Sequence, residues 1–289
     1  MNGKHLIFIA LCIPLLSRAQ SINIIGSDTM FPFVKDIAEL YCKSNPKHTI
    51  SVSGGGSGTG LIAMKDEVAE LAIASRHMKL NETQALEEKG IALREVIIAY
   101  DALSIIVNPK NPIKKITLSQ IKDVFTGKIS NWKHLGGKDQ PIKVYTRNPN
   151  SGTYEFIKKK ILLGNEYSAN SGHKNKNEEM VNAVFSEENA IGFCGLSYLR
   201  KGVRPLKVGE SNRNYVKPNF QNAKDGIYPI SRPLYYFYEA KNEKLLNSFI
   251  DFSLSHTGQA LIHDEGYVPI EEKVINAEFD EDIEALFNF

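Results

Sequence analysis

Cysteine is scarce in this chain, with three in 289 residues. Only Cys42 and Cys194 lie beyond the first 19 positions, which is too few for a disulfide framework at this length. One falls on an expected helix face and the other in an expected strand, Ile191-Gly192-Phe193-Cys194, so both are expected as buried free thiols. An excess of charge is also missing. A formal net charge of +2 lacks the electrostatic footprint of a nucleic-acid or acidic-membrane partner. Long apolar runs are absent too: the longest, Leu6 to Leu16, is too short to span a bilayer. The histidines at positions 5, 48, 77, 134, 173, 256 and 263 show no metal-ligand spacing, and no metal or cofactor is expected. There is no repeat of solenoid period and no low-complexity segment.

What is present is a globular composition, 42% hydrophobic and 24% charged, enough for one large domain or two ordinary ones. Residues 1–19 read as a secretory leader. Lys4 and His5 form a basic start, the apolar run follows, and Ser17-Arg18-Ala19 supplies small residues at the −3 and −1 positions for cleavage after Ala19. Cys12 would mark a lipid anchor only behind a small residue, and Leu11 stands there instead. The mature chain is therefore expected to be exported, soluble and periplasmic.

Strands and helices then alternate. Ser21–Ile25 is a strand, Gly26-Ser27-Asp28-Thr29 a turn, and Phe33, Ile37, Leu40 and Tyr41 mark one helix face that stops at Ser44-Asn45-Pro46. Thr49–Ser53, the glycine-rich turn Gly54–Gly60 and a helix opening at Leu61 repeat the unit. Glu70–Ala74 is a buried-type strand, and a helix runs from about Asn81 to Lys89. Ile97–Val107 is apolar, Ser119–Phe125 helical, and Ile142–Tyr145 a strand leading into Arg147-Asn148-Pro149-Asn150-Ser151-Gly152-Thr153. Lys174–Glu179 reads as an exposed charged stretch and residues 209–226 as irregular. An aromatic strand, Ile227–Phe237, and helices over Glu243–Leu254 and Gln259–Asp264 close the pattern. Trp132 and the cluster Tyr235 to Tyr238 are expected in the core. The alternation implies α/β layers with largely parallel sheets.

The chemistry lies in the turns. Gly26–Thr29, Gly54–Gly60 and Asn150–Thr153 each place Ser, Thr or Gly between a strand and a helix start. Such turns offer backbone N–H groups, hydroxyl donors and the positive end of the helix dipole. Ligand sites in α/β sheets form beyond the carboxyl ends of strands. Arg147 and Arg76 add planar charged donors. One such turn is an ordinary capped helix; three in one chain favour a tetrahedral oxyanion. Other chemistries fit less well. Gly58-x-Gly60-x-x-Ala63 formally matches a dinucleotide fingerprint, but no strand ending in an acidic residue follows at the required distance. No Gly-Lys-Ser/Thr follows the glycines. Ser57 has no nucleophile elbow around it and no paired base.

The motifs Gly26-Ser27-Asp28-Thr29-Met30, Gly54–Gly60, Ala74-Ser75-Arg76 and Ser151-Gly152-Thr153 resemble those of PstS-type phosphate-binding proteins, the exported substrate-binding components of the phosphate ABC transporter. Ile106–Pro109, Phe125–Trp132, Tyr228–Leu234 and Gly266–Pro269 extend the resemblance over the mature chain. It implies a type II periplasmic-binding-protein fold, two α/β lobes joined by crossing strands near Tyr100–Ile105 and Ile227–Leu234. Residues 20–99 with 235–289 would form lobe one and residues 100–234 lobe two. Inorganic phosphate would be held by Ser27, Thr29, the Met30 amide, Ser57, Ser75 and Arg76 from lobe one, and by Arg147, Ser151, Gly152 and Thr153 from lobe two. A monomer delivering phosphate to a membrane permease follows from the resemblance, with no catalytic residue and no nucleic acid. Longer members carry an Asp where Arg76 stands, an acceptor for the phosphate proton; Asp28 and Asp101 are the candidates to replace it. Two alternatives remain at this point: a receptor for sulfate, tungstate or molybdate, and a phosphatase-like enzyme acting on phosphate esters.

Overall fold

The computed structural model describes residues 20–270, so the expected leader and its cleavage point after Ala19 lie outside the described residues. Strand β1 (Gln20–Gly26) carries the fully buried Ile22 and Ile24. Helix α1 (Phe31–Ser44) starts with a proline in its first turn, where a missing N–H costs nothing and a fixed φ helps. Its Phe33, Val34, Ile37, Ala38 and Tyr41 face inward at helical spacing. Strand β2 (His48–Ser53), helix α2 (Ser57–Lys65), strand β3 (Leu71–Ala74) and helix α3 (Leu80–Glu87) complete the first layer. β2 and β3 flank β1, both parallel to it.

Gly26 ends β1 at a φ of 149°, and a Cβ there would stand 2.1 Å from the Ile73 carbonyl oxygen. Gly26→Ala is expected to cost roughly 1–3 kcal/mol, through backbone strain and collision with β3. Urea unfolding monitored by circular dichroism measures it; an unchanged midpoint would refute the close approach.

Strand β4 (Leu93–Val107) is 15 residues long. It begins earlier than the apolar segment Ile97–Val107 suggests, because a later strand pairs with it as far back as Leu93. Beyond it come β5 (Lys115–Thr117), α4 (Leu118–Phe125), β6 (Lys143–Arg147), α5 (Gly152–Lys160), β7 (Gly172–Lys174), α6 (Asn177–Ser186) and β8 (Ala190–Gly195). The stretch 174–179 forms the end of β7 and the start of α6; Asn175, Lys176, Glu178 and Glu179 are exposed as expected, and Asn177 alone turns inward, at 1% exposure. The region expected to be irregular contains β11 (Tyr215–Val216) and α7 (Phe220–Lys224), preceded by β9 (Arg204–Pro205) and β10 (Lys207–Gly209). Strand β12 (Ser231–Glu239), helices α8 (Glu243–Leu254) and α9 (His256–Asp264) and the short β13 (Val268–Pro269) finish the described chain.

The main sheet has the order β2-β1-β3-β12-β4-β8-β6-β7, and a small second sheet has the order β11-β10-β5. The expectation of largely parallel sheets needs correction at the centre. β12 runs antiparallel to both β3 and β4, and β4 is antiparallel to β8. These two long strands carry the chain between lobes. Ile98 and Ala99 of β4 pack with Leu234 and Tyr236 of β12 in the core under α1 and α8. Immediately beyond, Tyr100, Ala102 and Leu103 belong to a second core with Ile230, Trp132, Phe125 and Phe193. The register of the β4–β12 pair shifts between Leu234 and Tyr235, inside the first of these cores. Trp132 and Tyr235 to Tyr238 are interior, as their sequence context suggests. Cys194 is a buried free thiol, whereas Cys42 is only partly buried, packed against the first core and lining a groove beside Lys35 and His48.

Candidate anion-binding site

The three strand-to-helix turns meet at the sheet's centre. β1 and β3 deliver Ser27, Thr29 and Ser75 from one lobe, and α2 opens with Ser57; all four are 2% exposed or less. β6 delivers Arg147 from the other lobe, and α5 opens with Ser151, Gly152 and Thr153. The Ser151 hydroxyl accepts from the Tyr154 N–H and caps α5. Across the cleft, Thr29 Oγ1 lies 3.4 Å from Thr153 Oγ1. Gly152 closes on Ser57 and Ser75 so tightly that a Cβ there would fall 2.3 Å and 2.6 Å from their hydroxyl oxygens. The Gly58 N–H donates to the Asn150 carbonyl at 3.1 Å, and Lys79 reaches Glu155 at 2.9 Å. These contacts join the lobes directly.

Hydrogen-bond roles are assigned by the partners. Ser57 Oγ accepts from the Ser75 N–H at 3.0 Å and lies 3.3 Å from Ser75 Oγ. The Met30 N–H donates to the Ser27 carbonyl at 3.1 Å, so the amide expected to face phosphate already closes a turn. Arg147 is 1% exposed. Its Nη2 donates to Asp28 Oδ2 of the opposite lobe at 2.9 Å and to the Asn175 carbonyl at 2.6 Å. Nη1 donates to Asn177 Oδ1 at 3.2 Å, while Nε is buried with no hydrogen-bond partner. A buried guanidinium donor without an acceptor is costly in a finished interior. Burial pulls the Arg147 pKa down, and Asp28 works against that shift.

Arg76 does not join this cluster. Its Nη1 and Nη2 donate to the two oxygens of Glu82, both at 2.7 Å, and Nη1 also donates to the His77 carbonyl. Glu82 sits in the first turn of α3, where it also accepts from the Lys79 N–H. The Glu82 carboxyl is lowered in pKa: burial raises it, but the bonds from Arg76 and the Lys79 amide prevail. Arg76 thus clamps α3 through its two terminal nitrogens, which do not make the expected phosphate contact, while its buried Nε, like that of Arg147, has no hydrogen-bond partner.

The second charged donor in the cleft is a residue the turn motifs did not single out. Arg232 of β12 is fully buried and pairs across the strands with Asp101 of β4. Its Nη2 and Nε lie 3.0 Å and 3.3 Å from Asp101 Oδ2. Nη1 donates to the Ser75 carbonyl at 2.9 Å, and Nη2 reaches Thr153 Oγ1 at 2.9 Å and Thr29 Oγ1 at 3.4 Å. Burial pushes the Asp101 carboxyl up in pKa and the Arg232 guanidinium down, each opposed by the other's charge. The other Asp101 oxygen faces Gly195, where a Cβ would come within 3.3 Å. Of the two candidate acceptors, Asp28 is therefore the one beside Arg147; Asp101 is engaged with Arg232. Among the described residues, no group of three or more His, Cys, Asp or Glu side chains is placed to hold a metal ion, and no helix is long and apolar enough to cross a membrane.

Two α/β lobes joined by paired crossing strands, with hydroxyls, helix N-termini and arginine converging between them, define a two-lobed solute-binding protein. A family model described as the PBP superfamily domain matches residues 16–257. The phosphate-binding protein PstS of Pseudomonas aeruginosa is 31% identical over 272 residues, covering 88% of this chain and 84% of its own. That of Bacillus subtilis is 32% identical over 251 residues, covering 86% and 81%. Among solved structures, a protein of Clostridium perfringens assigned as a phosphate ABC transporter substrate-binding protein, with bound phosphate, superposes with a TM-score of 0.79 at 35% identity. That match spans 87% of this chain and all of the other. An ABC-type phosphate transport receptor from Vibrio cholerae gives a TM-score of 0.72 at 29% identity over 86% of this chain. The chain belongs to the PBP superfamily and, within it, to the PstS-type phosphate-binding proteins.

Proposed function

We propose that this protein is an exported, non-enzymatic receptor that captures inorganic phosphate between its lobes and delivers it to the permease of an ABC transporter. The observation that carries this reading is the convergence of Thr29, Ser57 and Ser75 from one lobe with Arg147, Gly152 and Thr153 from the other. A small tetrahedral anion can touch all of them at once only when the lobes are closed. Its binding therefore favours the closed shape, which is the form a transporter can recognise. The lobes divide at Ala99/Tyr100 and near Leu234, where the strand residues change core. The contact set is Ser27, Thr29, Ser57, Ser75, Arg147, Ser151, Gly152 and Thr153, with the Met30 amide held in its turn. A monomer suffices, since both halves of the site come from one chain.

Asp28 reads the phosphate proton. Its Oδ1 accepts from the Gly55 N–H at 2.9 Å and its Oδ2 faces Arg147, so an oxygen arriving at Arg147 meets a carboxylate beside it. A protonated oxygen donates to that carboxylate; a sulfate oxygen leaves two acceptors opposed. Phosphate is therefore expected to bind at least about tenfold more tightly than sulfate, one net hydrogen bond's worth. Titration calorimetry of the mature chain with each anion tests this, and equal affinities would refute it. In the hydrolase alternative Ser57 would need a base at its hydroxyl; Ser57 Oγ instead contacts the amide and hydroxyl of Ser75. No sustained release of product from a chromogenic phosphate ester is expected.

A further inference from the structure

A hydroxyl can donate one proton and accept at its oxygen, so a neighbour able only to donate dictates where that proton points. Arginine is such a neighbour: it has five N–H donors and no acceptor. Arg232 Nη2 lies 2.9 Å from Thr153 Oγ1 and 3.4 Å from Thr29 Oγ1. It is held there by Asp101 and by the Ser75 carbonyl. With one Nη2 hydrogen on Asp101, the other is shared between Thr153 and the more distant Thr29, so one side chain addresses a hydroxyl from each lobe. Two other hydroxyls of the cleft are treated in the same way by backbone donors: Ser57 Oγ by the Ser75 N–H and Ser151 Oγ by the Tyr154 N–H.

We propose that Arg232 is a positioning residue that fixes the polarity of Thr29 and Thr153, turning their protons into the cleft so that the site prefers the phosphate dianion. This rests on the phosphate reading above. With Arg232 donating to Thr153, the Thr153 proton has only the Thr29 oxygen or the anion to go to. The hydroxyl ring becomes a set of donors, and Asp28 remains the one acceptor beside Arg147. HPO4 with two negative charges fits that arrangement: one protonated oxygen meets Asp28 and three bare oxygens meet donors. The monoanion brings a second proton, which meets a donor and costs a hydrogen bond. The charged groups facing these hydroxyls are Arg232 and Asp101 from the crossing strands, Arg147 from β6 and Asp28 from the first turn. Tyr267 donates to the Thr29 carbonyl and so holds its backbone, leaving the hydroxyl to Arg232.

The test is the pH profile of phosphate affinity through the second ionisation of phosphate. Wild type is expected to favour the dianion over the monoanion by about tenfold, the weight of one net hydrogen bond. Removing Arg232 alone would leave Asp101 buried and unpaired, so the variant is Asp101→Asn with Arg232→Met, its fold checked by circular dichroism. It is expected to bind more weakly and to lose the preference, to within about twofold, because Thr29 and Thr153 are then free to accept. A merely structural role would weaken binding equally at every pH, and that outcome overturns the proposal. Should the double variant not fold, a neutron structure of the wild-type phosphate complex decides the matter. A deuteron on Thr153 Oγ1 pointing at the anion supports the assignment, and one pointing away overturns it. Wild type that binds no phosphate at all overturns the phosphate reading and this inference with it; wild type that binds with unaltered pH dependence in the variant overturns only the role of Arg232.

Discussion

Arg147→Ala is expected to weaken phosphate binding by roughly 2–5 kcal/mol, the range for truncating one partner of a buried, hydrogen-bonded charge pair. That is about thirtyfold to several thousandfold in the dissociation constant. Arg147 is 1% exposed, its Nε has no protein acceptor, and its Nη2 spans the cleft to Asp28. The substitution therefore removes a charged donor from the anion and an ion pair between the lobes together. Part of the loss is the cost of leaving Asp28 without its partner, on a side chain that is 17% exposed and so partly relieved by water. Two comparisons separate these contributions. Arg147→Ala with Asp28→Asn should recover the part due to the stranded carboxylate, less what the weaker amide acceptor loses at the phosphate proton. Arg147→Lys should retain charge while losing the forked geometry, and should fall between wild type and alanine. Titration calorimetry gives all four affinities, and an Arg147→Ala protein within threefold of wild type would refute the placement of the anion.

Much of this site could be read without coordinates, because its donors are local. A strand, a turn of Ser, Thr and Gly and an amphipathic helix lie within a dozen residues of one another, so the pattern states its own geometry. Arg76 and Arg232 mark where that logic stops. Arg76 follows Ser75 at the end of β3, and adjacency suggested a shared target. Adjacent side chains leave an extended segment on opposite faces, however, and Arg76 met Glu82 in the helix that follows. The signal was available in Lys79 and Glu82, three residues apart at a helix start, but helix capping accounts for that spacing as well. Arg232 stands 131 positions from Asp101, and only the pairing of two crossing strands brings them together. A buried arginine in an apolar strand needs a carboxylate, and Asp101 lay in the other apolar segment; matching the two was the available clue. The antiparallel centre of the sheet was hidden for the same reason. Alternation of helix and strand reports what precedes and follows a strand, not which distant strand lies beside it.

Gly152→Ala is expected to leave the folded protein as stable as wild type while lowering phosphate affinity by roughly fivefold to a hundredfold, from roughly 1–3 kcal/mol of overpacking. Gly152 is the first residue of α5 and its φ is not positive, so alanine suits the backbone there. The obstruction exists only between lobes. A Cβ would lie 2.3 Å from Ser57 Oγ, 2.6 Å from Ser75 Oγ and 3.0 Å from Ser57 Cβ. Rotation can move a hydroxyl, but Ser57 Oγ is held by the Ser75 N–H, and the Ser57 Cβ cannot rotate away. The lobes must then stop short of each other by some tenths of an ångström. Every contact that depends on both lobes lengthens with them, from Thr29–Thr153 at 3.4 Å to Arg147–Asp28 at 2.9 Å. The loss is therefore one of closure rather than of any single donor. Thermal unfolding without phosphate should be unchanged or slightly raised, and the rise that phosphate produces in wild type should shrink. Small-angle scattering should show wild type becoming more compact on adding phosphate and Gly152→Ala changing little. A variant that closes and binds like wild type would mean that α2 yields where the geometry says it cannot.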